Sequence, residues 1–136
     1  MTISYTHRQE RSLVFHLLYA MESFDNERQL SSIIDAFNNG FSTHLDMDHG
    51  AVITAQAVIN ERQVLDHYIE PFLQHWRLDR VGLCTRLVLR FAVWELENTQ
   101  TPPTIVINEA IELAKCFAEK DAYKFVNGIL DKISIK

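Results

Sequence analysis

Between Val81 and Leu96 the chain sets Leu83, Cys84, Leu87, Val88, Leu89, Phe91, Ala92, Val93 and Trp94, so a helix here is apolar nearly all round. Such a helix cannot lie on a surface; it has to be wrapped by other elements. The rest of the sequence supplies helices to do so. Four glycines and three prolines in 136 residues are too few for a turn-rich β fold. Leu13, Leu17, Leu18 and Met21 repeat at helical spacing and predict a helix over residues 7–22, with Thr6 as its cap and Asp25-Asn26 as its end. Leu30, Ile33, Ile34 and Phe37 predict a second helix that stops at Asn38-Asn39-Gly40, a left-handed C-terminal signal, before a polar loop over 41–50. Residues 52–69 read as one long helix or two short ones before Pro71. Asp79 is the expected N-cap of the central helix. Pro102-Pro103 opens the next helix, with an inward stripe of Val106, Ala110, Leu113, Ala114 and Phe117. Asp121 is the expected N-cap of the last, whose apolar positions are Phe125, Val126, Ile129, Leu130 and Ile133. The expected architecture is all-α: a compact bundle of six to seven helices forming one domain over 1–136.

Several function classes are disfavoured. No apolar run approaches the roughly 20 residues that span a bilayer, and Met1-Thr2-Ile3-Ser4-Tyr5-Thr6-His7-Arg8 has no signal-peptide hydrophobic region, so a cytoplasmic protein is expected. Cys84 and Cys116 stand far apart without metal-type or CxxC neighbours and read as reduced, packed thiols. His44, Asp46, Asp48 and His49 read as a solvated loop, not a metal centre. No nucleophile–base pair, glycine-rich phosphate loop or cofactor signature is visible, and the chain is expected to be no enzyme. Arg86 and Arg90 share one face of the central helix and need partners there, for which Glu95, Glu109 and Glu112 are the candidates. Asn108, Glu109 and Asn127 read as polar fixings that hold the last two helices in register.

A net charge of −5 argues against generic nucleic-acid binding, but the charge is uneven. Residues 23–75 carry eight acids against two arginines, while residues 115–136 carry five lysines against three acids. Two places suit RNA. His7, Arg8 and Arg11 open the first helix, with the two arginines on one face where they could meet phosphates. Phe125 stands beside Tyr123 and Lys124 and after Lys120, as a base-stacking aromatic would, although its spacing alone fits the core stripe.

The words Leu89-Arg90-Phe91-Ala92-Val93-Trp94-Glu95-Leu96, Ile107-Asn108-Glu109-Ala110-Ile111-Glu112-Leu113-Ala114-Lys115 and Lys124-Phe125-Val126-Asn127-Gly128-Ile129-Leu130-Asp131-Lys132, in this order, resemble the NusB family of bacterial transcription antitermination factors. Arg11 with Leu18-Tyr19 extends the likeness to the first helix, and residues 23–70 match in helical pattern only. The resemblance implies two packed helical subdomains and no enzyme activity. It implies binding of boxA, a single-stranded element of nascent ribosomal RNA leaders, together with the small-subunit ribosomal protein NusE, within an RNA polymerase antitermination complex. The family's RNA surface would fall on His7, Arg8, Arg11, Phe72, Asp121 and Phe125, to which the reading of the residues adds Lys120, and its NusE-facing side on Tyr19, Arg80 and Thr85. The basic segment His7-Arg8-Gln9-Glu10-Arg11 is thinner than in many members, which implies weak RNA binding without the partner.

Two rivals carry different expectations. The first is the RNA-binding module of an rRNA cytosine methyltransferase, disfavoured by the stop just past Lys132. The second is a helical protein-interaction adaptor or homodimer with little or no RNA binding, which the acidic middle of the chain favours.

Overall fold

The first helix starts where a capping box fixes it. In the computed structural model, which describes residues 6–41, 44–74 and 76–135, the Thr6 hydroxyl accepts the Gln9 N–H at 3.1 Å and the Gln9 side chain accepts the Thr6 N–H at 2.8 Å. From there α1 runs His7–Glu22 and buries Leu13, Val14, Phe15, Leu17, Leu18 and Met21. It ends where Asp25 and Asn26 take left-handed backbone angles, φ 54° and 58°, as the sequence predicts. The Asn26 amide donates back to Glu22 at 2.8 Å. Residues 1–5 of the N-terminal reading, and Ser42 and Thr43 of the polar loop, lie outside the described residues.

The second helix departs from expectation. α2 runs Leu30–Phe41, straight through Asn38, Asn39 and Gly40, and none of these has a positive φ. Asn38 is used elsewhere. Its amide donates to the Leu45 carbonyl at 2.8 Å, and its carbonyl oxygen accepts the Leu45 N–H at 2.9 Å. That two-way clamp pins the loop so that Leu45 is buried. The other loop polar groups also bond locally. Asp46 accepts the Asp48 N–H at 2.9 Å, and His49 Nδ1 accepts the Ala51 N–H at 3.1 Å. α3, Gly50–Asn60, lays Ala51, Val52, Ala55, Val58 and Ile59 inward and packs chiefly on α1. These helices make one of two compact units, Met1–Asn60.

The second unit is Glu61–Lys136. The segment before Pro71 resolves into two helices, because the chain breaks at Glu61 and α4 runs only Arg62–Ile69. A 3-10 turn at Glu70–Phe72 accommodates Pro71, and a second one covers Leu78–Arg80. The central helix α5, Leu83–Asn98, starts three residues later than an Asp79 cap would set it, with Gly82 at the cap. Asp79 instead accepts from Arg77 at 2.7 Å inside the 3-10 turn. α6, Pro103–Phe117, and α7, Ala122–Ser134, pack on α5 and on each other, and α4 covers another side of α5. Leu89 and Val93 of α5 are fully buried.

Arg90 shows why α5 tolerates charge. Its guanidinium forks onto Asp66 of α4, Nε to Oδ1 at 2.7 Å and Nη2 to Oδ2 at 2.8 Å. The acid that fills the fork thus comes from outside the expected set of Glu95, Glu109 and Glu112. Asn108 and Asn127 are exposed, so the contact between α6 and α7 is made by the apolar stripes and not by these amides. Among the described residues there are seven α-helices and no strand, and no helix is long and apolar enough to cross a membrane.

Candidate nucleic-acid interface

In the second unit, the loop between α6 and α7 meets the segment that leads into α5. The contact begins with Gly82. A side chain there would run into the Glu119 carboxylate, so glycine leaves room for that acid against the start of α5. Glu119 also accepts a hydrogen bond from the Thr85 hydroxyl at 3.0 Å. The first turn of a helix offers unpaired N–H groups and partial positive charge, which suits a carboxylate. Burial pushes the Cys84 thiol above its usual value, and the same Glu119 charge pushes it further. Where two packed thiols were expected, Cys84 is only half-buried, and Cys116 is exposed because it falls on the outer side of α6.

Next to this junction lies a groove of about 280 Å³. Val81 and Ala122 contribute apolar surface, Trp76 and Phe125 are its aromatics, and Arg80, Lys120, Glu119 and Asp121 carry its charge. Five of the residues singled out from sequence therefore line one site: Arg80, Thr85, Lys120, Asp121 and Phe125. The resemblance implied a division of these five between RNA and partner; the fold puts them together. Thr85 is buried and spends its hydroxyl on Glu119, so its contribution to the surface is to position that acid.

Asp121 occupies the N-cap position of α7 but does not cap it through its side chain. Its backbone is left-handed, φ 69°, and its carboxylate makes no cap hydrogen bond. It lies 3.7 Å from Lys124 Nζ instead. Tyr123 is flanked by the ammonium groups of Lys115 at 4.9 Å and Lys124 at 6.0 Å from its ring centroid. Phe125 settles between its two readings. The other stripe residues of α7 are buried, whereas Phe125 is only half-buried and faces the groove.

Phe72 does not line the groove. It sits in the first 3-10 turn, which packs on α7, with its ring centroid 6.0 Å from that of Tyr68. Partial burial and then the Glu97 carboxylate hold the Tyr68 phenol above its usual range.

In the first unit, His7 and Arg8 are exposed and Arg11 is partly so, all on the first turns of α1. Tyr19 is exposed further along the same helix, with its ring stacked against Phe15 at 6.4 Å. Helical spacing sets Arg8, Phe15 and Tyr19 along one stripe with Arg11 close beside it. Arg8 and Arg11, expected to serve RNA, and Tyr19, expected to serve the partner, thus lie on one side of α1.

Sequence reasoning missed Trp76, Gly82 and Glu119. Trp76 did carry a signal: a large aromatic in the polar stretch between Gln74 and Asp79, off every helical stripe. Glu119 carried none, because its meaning depends on Gly82 and Thr85, more than thirty residues away in the chain. No group of three His, Cys, Asp or Glu able to hold a metal ion occurs among the described residues.

Known proteins share this arrangement of helices. The sequence profile of the NusB family matches residues 8–134. Transcription antitermination protein NusB of Staphylococcus haemolyticus is 38% identical over 128 residues, spanning 93% of this chain and 97% of that protein. Its counterpart in Staphylococcus epidermidis is 33% identical over the same share of both chains. Among solved structures, T. maritima NusB superposes with a TM-score of 0.78 at 32% identity, covering 98% of this chain and 94% of that one. A chain from the crystal structure of a plectonemic RNA supercoil superposes with a TM-score of 0.76 at 23% identity, a likeness of fold.

Proposed function

The chain belongs to the NusB family of transcription antitermination factors, which is non-enzymatic, and from that premise we propose that it binds boxA RNA of ribosomal leader transcripts together with NusE. In this reading residues 1–136 act as one cytoplasmic RNA-binding domain that joins an RNA polymerase antitermination complex and supports rRNA transcription and maturation. His7, Arg8, Arg11, Phe72, Lys120, Asp121 and Phe125 serve the RNA; Tyr19, Arg80 and Thr85 serve NusE, Thr85 through the acid it positions.

The observation that carries the reading is the placement of Phe125. A residue whose spacing belongs to the core stripe is instead half-exposed in a groove beside Lys120 and Asp121. Unpaired bases are bound by such aromatics, with cations for the adjacent phosphates. Titration of boxA and scrambled RNA, each with and without NusE, tests it. A preference for boxA that grows with NusE is expected; equal binding of both RNAs with NusE present would sink the proposal. Phe125→Ala should lower the boxA affinity by about 1–3 kcal/mol while the thermal midpoint stays close to that of the parent. A drop in midpoint with unchanged affinity would return Phe125 to the core.

Salt dependence gives a second check. Each phosphate neutralised on a single strand contributes a slope of about −0.7 to log K against log salt. Arg8 and Arg11 are the fixed charges of the α1 segment, and Lys120 adds one in the second unit. A shallow slope of roughly −2 is expected for these three contacts, and roughly −3 where Arg80 meets a phosphate as well. A slope twice as steep would mean that other cations carry the RNA.

A further inference from the structure

Trp76 stands apart from the other aromatics of the chain, and its surroundings give it a role. It is 60% exposed, although tryptophan ordinarily takes most of its large ring out of water. Other exposed rings are covered in other ways: Phe24 carries the Arg28 guanidinium 4.4 Å above its ring, and Tyr19 stacks on Phe15. Among the described residues no ring or cation contact covers Trp76. Its position is set by backbone geometry. Gln74 takes a left-handed φ of 57°, and the Trp76 N–H donates to the Leu73 carbonyl at 3.1 Å, which ties the turn to a buried leucine. From that turn the indole reaches the groove that Phe125 also lines.

We propose that Trp76 and Phe125 are two aromatic walls of one slot that takes an unpaired nucleobase of single-stranded RNA, with Arg80 and Lys120 meeting the phosphates on either side of it. The inference rests on the RNA-binding function proposed for this surface and extends it to Trp76 and to Arg80, which the family resemblance placed with the partner.

Size and charge favour this occupant. About 280 Å³ lies at the small end of ligand clefts. It suits one planar group, whereas a partner helix needs an elongated groove with several anchors. The four charges on the rim are not equivalent. Glu119 is occupied by Thr85 at 3.0 Å, and Asp121 is beside Lys124 at 3.7 Å. Arg80 and Lys120 are exposed, and neither has an ion pair among the described residues. Both acids, though exposed, already have a partner in Thr85 or Lys124, whereas the two cations have no ion pair among the described residues to give up on meeting an anion. Two aromatics with cations at the rim form a stacking platform for a base joined to its phosphates.

Tryptophan fluorescence provides a direct test. The sequence has two tryptophans, and Trp94→Phe, in α5 away from the groove, leaves Trp76 as the one reporter. Adding boxA RNA to that variant with NusE present should quench the emission. Trp76→Ala should weaken boxA binding by roughly 5- to 150-fold, and Trp76→Phe should recover most of the loss. A boxA RNA with one abasic nucleotide at the stacked position should bind the parent weakly and Trp76→Ala no more weakly still. Unquenched Trp76 in a complex that does form would overturn the proposal and leave the RNA-binding reading intact. So would binding by Trp76→Ala within twofold of the parent. Loss of NusE affinity in the absence of RNA would overturn it in favour of a protein contact. If the parent shows no preference for boxA, both readings fall together.

Discussion

Asp66→Ala is expected to destabilise the second unit by about 3–5 kcal/mol, measured as the shift in a urea unfolding curve followed by circular dichroism. The Arg90 side chain is only 7% exposed, and its fork is filled by both carboxylate oxygens of Asp66. A guanidinium stays charged at any ordinary pH, so it cannot escape burial by losing its proton. Removing Asp66 takes the bidentate partner from a charge buried where α4 packs on α5, the helix that α6 and α7 also cover. Asp66→Asn keeps an acceptor but not the charge and should fall between the two. Replacing both residues, Arg90→Met with Asp66→Leu, should restore much of the loss, because the pair itself is worth little more than apolar groups of similar shape. A cost below about 1 kcal/mol for Asp66→Ala would mean that water reaches the guanidinium and that the pair behaves as a surface ion pair.

The same pair shows where sequence reading runs out. That Arg90 needs an acid follows from its place on an apolar helix. Which acid does not, because Asp66 lies 24 residues away on another helix and charge pairing leaves no periodic trace. Apolar stripes do leave one, and they placed α1, α6 and α7, with the inward face of α7 right except at Phe125, while leaving open whether 52–69 is one helix or two. Helix ends were legible where the signal was a side chain bonding to its own helix, as at Thr6. They were misread where a polar side chain had a different partner. Asn38 clamps Leu45 and lets α2 run on through Gly40, and Asp79 pairs with Arg77 and leaves the α5 cap to Gly82. The groove was half legible for the same reason. Lys120, Asp121 and Phe125 are neighbours in sequence, whereas Trp76, Gly82 and Glu119 acquire meaning only when the α6–α7 loop meets the start of α5.

Leu130→Ala is the control that separates core from interface on α7. Leu130 is fully buried, as is Val126, and helical spacing sets it well round the helix from the half-exposed Phe125. Truncating it leaves a cavity among residues from α5 and α6, the helices that α7 packs on, with an expected loss of about 2–5 kcal/mol in stability. The affinity of the molecules that remain folded should not change, because no RNA-facing atom is removed. Phe125→Ala should do the reverse: keep the thermal midpoint and lose RNA. Both substitutions delete a large apolar side chain from positions that the sequence reading grouped together as the apolar side of the last helix. Only the outward turn of Phe125 into the groove distinguishes them. Paired measurements of unfolding free energy and boxA affinity on the two variants would show opposite patterns if that turn is functional. Parallel losses in both quantities would mean that α7 presents one continuous core face and that the RNA surface lies elsewhere.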